Sequence, residues 1–176
     1  MVNLTDDIPA SELLIVPLNP GMNLSSFDCR DQDLNEFLKE DAFLYQKNGM
    51  AQTYVCQYAN QPVGFFSLCC DAIKLSSTEK EEEFGMDKQH KDFPAVKIAR
   101  LATSASHKKR RIGTIMVKYI IGMALEFSKK IGCRFITVDA YPNSVDFYMR
   151  LKFIKNLKDG SGKNVSMRLD LIEPPP

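Results

Sequence analysis

Val96-Lys97-Ile98-Ala99-Arg100-Leu101-Ala102-Thr103, followed by His107-Lys108-Lys109-Arg110-Arg111-Ile112-Gly113-Thr114, decides how this chain folds. The first run reads as a strand. The second reads as a basic, glycine-containing turn, with a helix opening at Ile115. Ile115, Met116, Tyr119, Ile120, Met123, Ala124 and Phe127 then recur at helical spacing, the stripe a helix buries against a sheet. Backbone N–H groups at a helix start lack partners, and the helix dipole adds positive charge there. A pyrophosphate fits such a turn, and four consecutive basic side chains strengthen the attraction.

Working outward, Phe135–Ala140 reads as a central strand, nearly continuous in apolar residues and broken by Tyr141-Pro142. Asn143, with Asp146 three residues on, opens a short helix carrying Phe147-Tyr148. Residues 153–157 and 165–171 form a closing hairpin around Asp159-Gly160-Ser161-Gly162. Upstream, Leu13-Leu14-Ile15-Val16-Pro17-Leu18 reads as a first strand. Asp31 is a candidate N-cap for a helix with Leu34, Phe37, Leu38, Phe43 and Leu44 on its apolar face, stopped by Asn48-Gly49. Residues 51–59 and 63–72 pair as a hairpin across Asn60-Gln61-Pro62. Residues 74–94, with Glu79-Lys80-Glu81-Glu82-Glu83, read as a variable, solvated loop or short polar helix. The order specifies an α/β fold, a mixed central sheet flanked by helices. One domain over residues 1–176 is expected, with its core at about residues 13–171.

Lys and Arg number 23 against 22 Asp and Glu, a net charge of +1. No global field draws a polyanion, so any basic effect is local. The five cysteines include no Cys-x-x-Cys pair and only two histidines are present, which argues against a zinc site. Three of the five fall in predicted strands, which suggests buried, reduced thiols. No apolar run has signal-peptide length or approaches the roughly 20 residues needed to span a bilayer. The expected location is cytoplasmic, with no membrane association.

The central stretch resembles the GNAT superfamily of acyl-CoA-dependent N-acyltransferases. Their motif Gln/Arg-x-x-Gly-x-Gly/Ala falls on Lys108-Lys109-Arg110-Arg111-Ile112-Gly113, with Thr114 as the following small hydroxyl residue. Ala99-Arg100-Leu101-Ala102-Thr103 is similar to the family's splayed strand, and residues 144–153 to its Ala-x-x-Phe-Tyr-x-x-x-Gly-Phe block. Three positions depart from the pattern: Lys108 stands where glutamine or arginine is usual, and Arg111 and Lys152 where glycine is usual. Arg111 is compatible with the motif if its backbone is ordinary and its side chain turns outward to a phosphate. Lys152 requires either strain or a different helix end.

The resemblance implies an acetyl-CoA-dependent N-acetyltransferase. It implies that Leu101, Ala102 and Thr103 bind pantetheine, that 108–114 hold the pyrophosphate, and that Tyr148 protonates the leaving thiolate. Asn143 stands between two roles, helix cap and coenzyme contact. Asp139 and Asp146 lie near the site in sequence but read as a cap or surface carboxylates, so no base is identified. His107 reads as an exposed turn residue with phosphate contact as its alternative, and Arg100 as a salt-bridge residue or one facing the acceptor. The charge favours a primary amine of a small molecule or protein as acceptor. The alternative comes from Phe27-Asp28-Cys29 and Asp33-Leu34-Asn35-Glu36-Phe37-Leu38, which resemble the opening of GNAT toxins that acetylate aminoacyl-tRNA and pair with a ribbon-helix-helix antitoxin. A degenerate domain that only binds coenzyme A is a third reading. A homodimer is left open.

Overall fold

Seven strands alternate with helices in the computed structural model, which describes residues 7–84, 92–157 and 162–172. The strands are β1 (Leu13–Pro17), β2 (Gln52–Tyr58), β3 (Gln61–Ile73), β4 (Phe93–Thr103), β5 (Phe135–Ala140), β6 (Ile154–Lys155) and β7 (Val165–Asp170). The helices are α1 (Gln32–Glu36), α2 (Ala42–Lys47), α3 (Ser77–Phe84), α4 (Ile112–Ser128) and α5 (Val145–Arg150). Backbone pairing gives a mixed sheet of order β1-β2-β3-β4-β5-β7-β6, in which β4 and β5 run parallel. The expected α/β fold with a mixed sheet and helices is therefore present. Contacts divide the chain into two compact units, Met1–Cys69 with Ala99–Ile120 and Cys70–Ile98 with Ile121–Pro176. Strands β3 and β4 and helix α4 each contribute to both.

In the first unit the core gathers around Phe27, Phe37, Leu38, Val55 and Phe65. Phe27 meets Phe65 edge-on and Phe37 stacks on it at 6.2 Å. Asp31 caps α1 as expected, its Oδ1 accepting the Leu34 N–H at 3.1 Å. The helix does not then continue regularly. Phe37–Asp41 form a π-helical turn between α1 and α2. The extra residue rotates the faces of α2 by roughly 100°. Ala42 thus becomes buried, while Phe43 and Leu44, expected on the apolar face, are exposed. The helix stops where expected: Gly49 takes φ +68° and Met50 N–H bonds back to the Tyr45 carbonyl.

The β2–β3 turn is shorter than expected. Ala59 and Asn60 both have positive φ, as in a two-residue hairpin turn, so Gln61 and Pro62 already belong to β3. A register shift at Cys56/Gln57 accommodates the proline opposite Gln57. Gly64 allows close packing here. A Cβ on it would lie 2.9 Å from Met116 Cε and 3.2 Å from the Ala102 carbonyl oxygen.

The second unit packs Leu75, Phe93, Ala95 and Phe135 together. Within 74–94 the structure forms α3, and residues 85–91 lie outside the described ones. The solvated reading of the charge run fails at Glu79, which is 3% exposed. Ser76 and Glu79 form a reciprocal capping box: Ser76 Oγ accepts the Glu79 N–H, and Glu79 Oε2 accepts the Ser76 N–H. Glu79 Oε1 also accepts from Arg168 Nη1 on β7 and from Leu157 N–H. Of the strand cysteines only Cys56 is buried; Cys69 is half-buried and Cys70 exposed. None of the five cysteines is in a disulfide, and burial pushes the pKa of the Cys56 thiol up to about 12.

Candidate functional site

The basic turn lies in the first unit. After β4 comes a single 3-10 turn, Ala105–His107, and then the four basic residues. Helix α4 opens at Ile112, three residues before the expected start at Ile115. The Ile115 N–H bonds to the Arg111 carbonyl, so the N–H groups of Ile112, Gly113 and Thr114 have no helical acceptor. Approaching the helix, φ alternates in sign: Lys109 and Arg111 are at +64° and +62°, whereas Lys108 is at −59°. Such alternation turns successive N–H groups toward one side, the concavity that binds anions. These outward donors, a 17-residue helix dipole and the basic cluster fit a pyrophosphate.

The side chains share this work unequally. Lys108, Lys109 and Arg111 are exposed, Arg110, Gly113 and Thr114 half-buried, and Ile112 is 1% exposed. Ile112 therefore offers its backbone alone. The expectation for Arg111 is corrected. Its backbone is left-handed, the region that favours the usual glycine, and its Nη1 lies 3.6 Å from Asp7 Oδ2. His107 is half-buried, not exposed. Ser106 Oγ sits 2.9 Å from its Nδ1, and burial together with nearby Arg110 lowers its pKa.

Leu101 and Thr103 are half-buried and Ala102 buried on the final stretch of β4. The parallel pairing with β5 spans Ala95↔Phe135 to Ile98↔Val138, and β4 continues beyond it to Thr103. Arg100 precedes Leu101. The expected salt bridge is absent: Arg100 makes no ion pair or hydrogen bond among the described residues. Its guanidinium lies 3.7 Å from the centroid of the Phe37 ring and 5.7 Å from that of Tyr45.

The Phe27-Asp28-Cys29 block acts on the same region. Asn35 Oδ1 accepts the Cys29 N–H, and Asn35 Nδ2 donates to Asp28 Oδ1. The Asp28 carboxylate also accepts the Arg30 N–H; these bonds hold its pKa below the ordinary value. The Asp28 carbonyl accepts the Ala105 N–H at 2.8 Å, and Ser104 N–H bonds to the Val63 carbonyl. The block thus ties down the backbone leading into the basic turn. Sequence reasoning misses Asn35. Its signal is an amide seven residues after an aspartate, ordinary in itself.

Tyr148 and Asn143 belong to the second unit. Tyr148 is 5% exposed on α5, edge-on to Phe147 and Phe153. Burial pushes its phenol well above the ordinary value, so it holds its proton. The helix end fixes it further. Lys152 takes φ +70°, its N–H bonds to the Met149 carbonyl, and Phe153 N–H bonds to that of Tyr148. This is a Schellman end with lysine in the glycine position, and the Phe153–Tyr148 ring contact at 5.3 Å accompanies it. Asn143 is exposed in the turn Pro142–Ser144 and does not cap α5; its Oδ1 accepts from Ser144 Oγ. Asp139 is ion-paired with Lys97 at 2.5 Å, and Asp146 is exposed in the first turn of α5. Among the described residues no cluster of three His, Cys, Asp or Glu could hold a metal ion, and no helix is long and apolar enough to cross a membrane.

Comparison with known proteins matches residues 22–153 to the acetyltransferase (GNAT) family profile. A tRNA-acetylating toxin of Mycobacterium tuberculosis is 22% identical over 132 residues, covering 74% of this chain and 78% of the relative. Among solved structures, AtaT complexed with acetyl-methionyl-tRNAfMet superposes with a TM-score of 0.78 at 23% identity, over 90% of this chain and 94% of that one. A tyrosine variant of AtaT, bound to the C-terminus of the antitoxin AtaR and to acetyl-CoA, gives a TM-score of 0.73 at 22% identity, over 92% and 94%.

Proposed function

We propose that this chain, which belongs to the acetyltransferase (GNAT) family, transfers acetyl from acetyl-CoA to the α-amino group of an aminoacyl-tRNA and so acts as a toxin. The observation that carries the reading is the Phe27-Asp28-Cys29 block. That run resembles the opening of tRNA-acetylating toxins, and here it holds the backbone leading into the basic turn through the Asp28–Ala105 bond. A relative that is itself a tRNA-acetylating toxin supports it. These observations favour the aminoacyl-tRNA alternative over a small-molecule or protein amine. A small antitoxin of the ribbon-helix-helix kind is the partner proposed with it.

Acetyl-CoA supplies an activated thioester carbonyl. The N–H groups of Ile112, Gly113 and Thr114 would receive its pyrophosphate, with Lys108, Lys109 and Arg110 adding charge. Backbone N–H groups of Leu101, Ala102 and Thr103 would bind pantetheine and polarise the carbonyl. An α-amino group, with an ordinary pKa of about 8, is partly neutral at physiological pH, so water suffices to take its proton. Tyr148 gives its phenolic proton to the departing sulfur as the carbon–sulfur bond breaks, and regains one from solvent.

The test incubates the full chain with acetyl-CoA and a total aminoacyl-tRNA pool, followed by nuclease digestion and mass spectrometry. N-acetyl-aminoacyl adenosine is the expected product. Acetylation of free amines with every aminoacyl-tRNA left unmodified would restore the small-molecule or protein acceptor.

A further inference from the structure

Arg100 is half-buried against aromatic rings. A partly buried arginine ordinarily meets a carboxylate. Here the adjoining π-helical turn carries Glu40 and Asp41, both exposed, and neither is within ion-pairing distance of Arg100. The guanidinium instead lies on the Phe37 ring at 3.7 Å, with Tyr45 flanking it at 5.7 Å. Phe37 is held from beneath by Phe65 and from the side by Tyr45, whose rings are 6.2 and 5.4 Å away. Stacking occupies a face of a guanidinium and leaves its N–H edge available. That edge is the fork which pairs with two oxygens of a phosphate, and lysine has no equivalent. The π-helical turn starting at Phe37 is a distortion often found at functional sites.

We propose that Arg100, stacked on Phe37, receives a backbone phosphate of the single-stranded 3′ end of the acceptor RNA. This rests on the aminoacyl-tRNA reading above and adds an acceptor-positioning residue to it. Arg100 immediately precedes Leu101, so a phosphate held there anchors the acceptor beside the strand assigned to the thioester. It also supplies local attraction that a chain of net charge +1 cannot supply globally.

The phosphate could instead come from coenzyme A, and the experiment separates the two sources. Wild type, Arg100→Gln and Arg100→Lys are compared as full chains. Acetyl-CoA affinity is measured by calorimetry, and kcat and KM for the best aminoacyl-tRNA across a salt series at saturating acetyl-CoA. Arg100→Gln is expected to raise the KM for aminoacyl-tRNA roughly tenfold, with Arg100→Lys intermediate. The log–log salt slope should fall by about 0.7, the loss of one contact to a single strand. Acetyl-CoA affinity should stay within about twofold, which also reports an intact fold. An unchanged KM overturns the inference, as does a raised KM with an unchanged slope, the mark of a purely structural arginine. A loss confined to acetyl-CoA affinity assigns the phosphate to the coenzyme and overturns it too. Wild type that acetylates no aminoacyl-tRNA overturns the acceptor reading and this inference together.

Discussion

Arg168 Nη1 stands 2.8 Å from Glu79 Oε1, and both side chains are under 5% exposed. Arg168 also donates to Asn156 Oδ1 at 2.6 Å. The Glu79 carboxylate therefore caps its own helix and meets the buried charge of β7. Burial opposes its ionisation, but the N–H groups of Leu157 and Ser76, the Ser76 hydroxyl and Arg168 outweigh that and hold its pKa at about 2.

Removing this charge should be costly. Glu79→Gln leaves Arg168 buried without its counter-ion, a loss of about 3–5 kcal/mol in comparable cases. The sign of the pH dependence is set by the direction of the shift. The folded pKa lies below the ordinary 4.5, so the unfolded chain binds more protons between those values. The contribution is complete above about pH 4.5 and vanishes as pH falls through about 2. Urea unfolding of both proteins from pH 7 down to pH 3 should show the gap between them narrowing; a constant gap would mean that the carboxylate charge contributes nothing.

Tyr148→Phe should lower kcat by about 10²–10⁴-fold, the usual range for a lost general acid, with acetyl-CoA affinity little changed. Because burial raises the phenol's pKa, wild-type kcat should not fall through tyrosine ionisation at its ordinary pH. Rapid-quench single turnovers measure this directly, and wild-type chemistry in the variant would remove Tyr148 from the mechanism.

Arg111→Gly should stabilise the chain. A left-handed backbone costs an ordinary residue about 1–2 kcal/mol, which outweighs the chain entropy that glycine adds and the exposed Asp7 pair. A net gain of about 0.5–1 kcal/mol raises Tm by roughly 1–4 °C. Calorimetric unfolding would show it, and a lowered Tm would mean that the Asp7 pair outweighs the strain.

Lys152 separates two effects at the other glycine position. Lys152→Gly should raise stability by about 0.5–1 kcal/mol and leave kcat alone. Lys152→Val should lower both, since a β-branched residue resists φ +70° and loosens the Phe153 grip on Tyr148. Equal kcat in the valine variant, with the fold destabilised, would show that the helix end does not position the phenol.

Much of the fold is legible in the sequence because the signals are local. The Phe135–Ala140 strand, the basic turn and most of the α4 stripe are set by periodicity and by breakers within a few residues, although Tyr119, expected on that buried stripe, is exposed. The capping box Ser76–Glu79 is present in the sequence but hidden in a charge run, whose composition suggests solvent. What makes Glu79 inward-facing is Arg168, 89 residues away, and such pairing leaves no local trace. The π-helical turn at Phe37 is equally silent, because an inserted residue shifts the faces of α2 without altering its composition. Arg111 and Lys152 mislead in a different way. The backbone keeps the glycine conformation although the side chain opposes it, so identity at those positions underreports geometry.

The sheet order has a consequence for biosynthesis. Strand β7 lies between β5 and β6 and is the last of the seven to be made. Until residues 165–170 emerge from the ribosome, β6 has no partner and β5 lacks its antiparallel neighbour. Pairing of β5 with β7 spans α5 and β6, and such non-local pairing is slow to close. The second unit therefore stays unfinished until Arg168 is made and meets Glu79, and a ribosome stalled just before β7 holds a chain that cannot complete its sheet.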